Sequence, residues 1–314
     1  MDSDNGSKPK PHPLQAEMLA RQLKDSLARR RPRPVLPVLA VLGGSCVILV
    51  FLAYWFYPRP QPLPLQILAL DAVCTVNEEL QVRAQLLTPA GDTTLRKLNG
   101  QAIVFHKIVP PNAKDKPLEH VASSDARGQA VAPWPIPTTA AAEFLVNHTD
   151  QANQHVQSDR GRIFVWPEDA PLLIVDANET LDAAEVEAEG AAKLKGAAKD
   201  GWRVVYLAMT SENPHALRKS RNWILANQAK LPMGPVLGRA HFAEDNSVRH
   251  EALRALKKRF TGAMIAIVKN PESAEVSKEV GVTTIQVGPG PAPPGIVHVA
   301  SWTDVVIPAL RADK

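Results

Sequence analysis

The chain has 314 residues, a formal net charge of +4 and a hydrophobic fraction of 45%, which is length for roughly two domains and enough apolar material for their cores. Its basicity is not a nucleic-acid footprint. Lys8, Lys10, Arg21, Lys24, Arg29, Arg30, Arg31 and Arg33 against Asp2, Asp4, Glu17 and Asp25 put the whole excess into the first 34 residues, and aromatics make up only 5%. Two cysteines, Cys46 and Cys74, exclude a disulfide-stapled fold.

Residues 1–34 are a basic tail in which Leu14, Met18, Leu19, Leu23 and Leu27 recur at helical spacing. That spacing suits either an amphipathic helix on anionic lipid through residues 14–33 or a plain helix. From Val35 to Tyr57 there is no charge, a run of about 23 residues ending in the aromatic cluster Tyr54-Trp55-Phe56-Tyr57. Such a run predicts a transmembrane helix at 35–57, with the lipid bilayer as partner. Arg29-Arg30-Arg31-Pro32-Arg33 on one flank against Arg59 on the other puts the N-terminus in the cytoplasm and the remaining domains outside. The expected protein is thus single-pass, in a cell membrane, and periplasmic beyond it if bacterial.

Residues 58–64 hold four prolines and read as a stiff spacer. Over 65–167, Leu65–Val76, Leu80–Leu87, Ala102–Ile108, Glu143–Asn147 and Ile163–Trp166 are strand candidates, separated by turn signals such as Pro89-Ala90-Gly91-Asp92 and Asp125-Ala126-Arg127-Gly128. They predict an antiparallel β-sandwich. The stretch Asn99-Gly100-Gln101, Val104-Phe105, then Ser124-Asp125-Ala126-Arg127-Gly128-Gln129-Ala130 resembles bacterial immunoglobulin-like modules.

Over 168–314 the pattern changes to apolar runs alternating with helical stretches. Strands are predicted at Leu172–Val175, Trp202–Met209, Met264–Val268, Thr283–Val287 and Val297–Ala300. Helices are predicted from Leu181 to about Lys199, then at Pro214–Ala229, Ser247–Phe260, Glu272–Val280 and Trp302–Arg311. This alternation implies a three-layer α/β domain around a parallel sheet.

In such sheets reactive groups stand at the carboxyl ends of strands. The first strand ends in Asp176-Ala177-Asn178-Glu179-Thr180 and the second in Thr210-Ser211. With Gly201–Leu207, Arg221–Leu225 and Leu231-Pro232-Met233-Gly234-Pro235-Val236-Leu237, the stretch 170–288 resembles the haloacid-dehalogenase-like phosphatase superfamily. It is most similar to the lipin-type and actin-patch-type phosphatidate phosphatase branch. The resemblance implies a HAD-like Rossmannoid fold and a Mg²⁺-dependent phosphohydrolase. Asp176 would be the nucleophile that forms an aspartyl-phosphate, with Asn178 and Thr180 completing the motif. Thr210 would hold a phosphoryl oxygen, and Arg249 would take the place of the family's lysine. The metal would be held by Asp176, the backbone of Asn178, and Glu272 or Glu275.

Two departures weigh against activity. Asn178 stands where the family has its acid–base aspartate, and acid–base help is worth about 10²–10⁴ in rate. After Met264–Val268 the loop reads Lys269-Asn270-Pro271-Glu272-Ser273, with a lysine and Ser273 where the cation wants carboxylates. The expected function is a membrane-anchored, non-catalytic binding or scaffold module with an unidentified protein or lipid partner. The alternatives are an active phosphatase on a phospholipid or other phosphomonoester, and a structural envelope protein that uses the sandwich. The histidines show no metal-ligand spacing, and no nucleic-acid partner is expected.

Overall fold

Strand alternation and buried apolar runs settle into three sheets. The computed structural model describes residues 13–28, 63–89, 98–108, 118–150, 154–181, 188–208, 214–242 and 248–310. It divides into two units, Met1–Gln61 and Pro62–Lys314.

In the first unit, helix α1 (Pro13–Ala28) carries Met18, Leu19 and Leu23 exposed. The expected span at 35–57 lies outside the described residues. Among the described residues no helix is long and apolar enough to cross a membrane. The expected fold class, a transmembrane helix followed by an immunoglobulin-like sandwich and a HAD-like α/β domain, is corrected accordingly. So is the single-pass location in a cell membrane with domains outside the cytoplasm. The described chain is three sheets with few helices, and no spanning helix supports the topology.

In the second unit, β1 (Gln66–Leu70), β3 (Leu80–Leu87) and β6 (Gln129–Trp134) form a three-stranded antiparallel sheet in the order β1-β3-β6. A five-stranded sheet consists of β2 (Ala72–Thr75), β8 (His155–Trp166), β7 (Ala141–Asp150), β4 (Ala102–Lys107) and β5 (Glu119–Ser123), in that order. Alternation explains how they pack. Val82, Ala84 and Leu86 of β3 meet Ile103, Phe105, Phe144 and Val146 in one core, while Gln81 and Arg83 point the other way. Gly161 leaves room for the ring of Phe144, since a Cβ there would lie 2.2 Å from its Cζ. The turn before β6 closes because the Asp125 carboxylate accepts from the amides of Arg127 and Gln129, both at 2.8 Å, and Gly128 takes φ +77°.

The third sheet is parallel throughout. Its order is β11 (Val236–Gly238), β10 (Arg203–Ala208), β9 (Leu172–Asp176), β12 (Met264–Val268), β13 (Thr283–Val287) and β14 (Val297–Val299). The chain enters it through β9, which is buried along its whole length. A four-residue helix α2 (Ala177–Thr180) follows β9. Helices α3 (Ala188–Lys199) and α4 (Pro214–Ala226) supply Leu194, Ala197, Leu217 and Ile224 to one face. Helix α5 (Val248–Arg259) supplies Leu253 and Leu256 to the other, beside α6 (Pro271–Glu279). The helix predicted over Trp302–Arg311 is one 3₁₀ turn, Trp302–Asp304, after which the chain runs without helix to residue 310. The run Val305-Val306-Ile307-Pro308 accounts for this, because β-branched residues and a proline disfavour a helix interior.

The first two sheets grip the edge of the third. Leu68 and Leu70 of β1 pack into the core on one face of the parallel sheet, and Val73 of β2 packs into the core on the other. Between them Asp71, 1% exposed, lies at the edge strand β11 and accepts from the amide of Val236 at 3.0 Å. It also accepts from Arg162, through its amide at 3.1 Å and its guanidinium at 2.5 Å, and that guanidinium in turn bonds the carbonyl of Gly234 at 3.0 Å. A second buried arginine, Arg221 of α4, pairs with both oxygens of Asp159 at 3.0 Å and donates to the carbonyls of Ala69 and Arg160. The buried Asp71–Arg162 pair, through its bonds to Val236 and Gly234, and the part-buried Asp159–Arg221 pair thus tie the sandwich to the parallel sheet.

Candidate functional site

The site grows from the tip of β9. Strand burial carries the chain straight to Asp176, 1% exposed, and the backbone there turns into α2 with Asp176 as its N-cap. One carboxylate oxygen, Oδ1, accepts from the amides of Asn178 at 3.1 Å and Glu179 at 3.0 Å. The other, Oδ2, accepts from Nη2 of Arg249, which α5 brings in from the neighbouring layer. The same Nη2 lies 3.2 Å from Oε1 of Glu179. Glu179 is saturated in turn. Its Oε1 accepts from the hydroxyl of Ser273 at 2.7 Å, and its Oε2 from the amides of Asn270 at 3.0 Å and Lys269 at 3.3 Å. Two carboxylates therefore share one guanidinium, and the second also closes the start of α6.

The remaining motif residues turn elsewhere. The Asn178 amide oxygen accepts from the hydroxyl of Ser220 on α4 at 2.7 Å. The Thr180 hydroxyl donates back to the carbonyl of Asp176. Thr210 lies outside the described residues. Glu272 and Glu275 are exposed on α6. Of the residues picked from the sequence, Asp176 and Arg249 meet in contact, and Ser273 joins them through Glu179. Glu179 itself was missed. Its signal was its place one helical turn from the strand tip, within reach of the loop after β12.

Burial raises the Asp176 carboxyl above the usual carboxylate range. Arg249 opposes the rise, and the charge of Glu179 adds to it. The donor set does not suit Mg²⁺. One oxygen of Asp176 faces a guanidinium, the other accepts from two amides, and the two glutamates that would complete the shell face solvent. Among the described residues no group of three or more His, Cys, Asp or Glu is placed to hold a metal.

No family model matches this chain. No curated protein matches it either. Its solved neighbours are remote. A cycloisomaltooligosaccharide glucanotransferase from Paenibacillus sp. is 10% identical over 71% of this chain and 44% of that one, with a TM-score of 0.24. A sialyltransferase from Photobacterium sp. is 9% identical over 69% of this chain and 41% of that one, at 0.20. A β-glucuronidase from Bacteroides uniformis is 10% identical over 71% of this chain and 35% of that one, at 0.24. The chain spans less than half the length of each of these three proteins. TM-scores of this size bear on neither the fold nor the activity.

Proposed function

We propose that the second unit is a non-catalytic binding or scaffold module in which the carboxylate cluster around Asp176 is a structural ionic lock. The observation that supports this reading is the placement of the Arg249 guanidinium between Asp176 and Glu179. A nucleophilic carboxylate must present a lone pair to phosphorus, in line with the leaving oxygen. Both oxygens of Asp176 are already used, one by two helix amides and one by Arg249. An incoming phosphoryl group would meet a carboxylate that must first break a buried charge pair before its oxygen could attack phosphorus. Asn178 can neither give nor take the proton that turnover requires. The arrangement instead fixes β9, α2, α5 and the start of α6 against one another.

The test is hydrolysis of p-nitrophenyl phosphate and of phosphatidate by the full-length chain with Mg²⁺, beside the Asp176→Asn variant. Both proteins are expected to give the same background rate. A Mg²⁺-dependent turnover that disappears in the variant would overturn the reading.

A further inference from the structure

A cleft of about 320 Å³ opens where the two β-sandwich sheets meet the edge of the parallel sheet. Its size falls within the range of small-molecule sites, roughly 300–1,000 Å³, and boundaries between packed parts of a fold are where such sites concentrate. Leu80, Leu237, Phe242 and Leu256 give it apolar walls. Its polar groups are mostly spent. Arg259 pairs with Glu78 at 2.7 and 2.9 Å and bonds the carbonyl of Val73 at 2.6 Å. His241 accepts from the amide of Gly238 at 3.0 Å and donates to the carbonyl of Asp71 at 2.9 Å, and burial lowers its pKa to about 4, so the ring is neutral. The Asp71 carboxylate is committed to Arg162. Burial pushes the Cys74 thiol up to about 11, which leaves it protonated. Glu79 is exposed to solvent, where its charge is screened.

One lining group is different. Arg83 of β3 is half-buried and gives one N–H to the carbonyl of His241 at 3.0 Å, and among the described residues no carboxylate pairs with it. A partly buried guanidinium without a counter-ion is the group best suited to hold a carboxylate, which it can take through two parallel hydrogen bonds.

We propose that this cleft binds a small organic carboxylate, with Arg83 holding the carboxylate and the apolar walls taking the hydrocarbon part. The site shares no residue with the Asp176 cluster and does not depend on whether that centre is catalytic.

The probe is hexanoate, titrated into the full-length chain and followed by ligand-observed NMR, with hexanamide and hexylamine as isosteric controls. Hexanoate is expected to bind in the millimolar range or tighter, and each control at least tenfold more weakly. Arg83→Met, which keeps the length of the stem, should weaken hexanoate binding at least tenfold. Arg83→Lys, which keeps the charge but not the two-pronged geometry, should bind hexanoate more weakly than the wild type and more tightly than Arg83→Met. Ala255→Phe, which fills the cleft without changing its charge, should abolish binding. Thermal melting of each variant shows that the fold is intact. No hexanoate binding by the wild-type chain, equal binding of hexanamide, or unchanged affinity in both Arg83→Met and Ala255→Phe would overturn the proposal.

Discussion

Replacing Arg249 with methionine would remove the cation of the lock and keep an unbranched stem in its place. The Asp176 side chain is 0% exposed and those of Arg249 and Glu179 are each 12% exposed, so solvent offers little screening. Breaking a buried pair by removing one partner costs about 3–5 kcal/mol. Asp176 has one way to reduce that cost, which is to take up a proton. Burial already lifts its carboxyl and Arg249 opposes the lift, so loss of Arg249 raises it further. Staying ionised then costs about 1.4 kcal/mol for each unit by which that pKa moves up. A carboxyl raised above its unfolded value of about 3.9 weakens the fold as pH climbs from that value through the folded one. The variant should therefore lose least near pH 5 and most near pH 8, where about 3 kcal/mol is expected. Urea unfolding of the full-length chain, followed by circular dichroism at both pH values, measures this. A loss under about 1 kcal/mol at the higher pH, or a loss that ignores pH, would refute the shared-guanidinium account.

Three further outcomes follow from the structure. His241 is held neutral with a pKa lowered from 6.5 to about 4. Between those values the unfolded chain binds a proton that the folded one refuses, so stability should fall on acidification through that window by at most about 3 kcal/mol. In His241→Gln that slope, read from urea midpoints across the window, should flatten. Gly262→Ala would set a Cβ 2.3 Å from the Asp169 carbonyl and 2.5 Å from that of Ala170. Backbone cannot yield as a flexible side chain does, so a loss of about 3 kcal/mol is expected by thermal melting. Gly196→Ala in α3, with nothing within 4 Å of the new Cβ, should gain about 0.5–1 kcal/mol in the same assay.

What could be read from the sequence was what periodicity encodes. Met264–Val268 and Thr283–Val287 stand as strands with the bounds read from their apolar runs, and Leu172–Val175 lengthens by one residue to Asp176. Strands β5 and β6 were missed because Glu119–Ser123 has a single strongly apolar residue, the exposed Val121, and Gln129–Trp134 contains Pro133. Strand β11 was missed because three residues are too few to show a period. The expected transmembrane topology rested on residues 35–57 and on the basic flank at 29–33, and no described helix supports it. At the site, the resemblance implied one centre for Asp176 and Arg249, and the two are in contact. It could not show that Glu179 would reach the loop after β12, because that contact spans about 90 residues and depends on strand order. The pairs Asp71–Arg162 and Asp159–Arg221 were illegible for the same reason, being 91 and 62 residues apart.

The edge strand β11 would ordinarily present open amides to any passing strand, a standing invitation to aggregate. Here the carboxylate of Asp71 and the ring of His241 answer the amides of Val236 and Gly238. Residues 168–314 therefore borrow part of their edge protection, the Asp71 carboxylate, from the segment before them, while that segment relies on Arg221 to neutralise Asp159. A cut near residue 168 would part Asp159 from Arg221 and Asp71 from the amide of Val236. Either half alone would open the flank of β11 and leave Asp159 and Arg221 without each other.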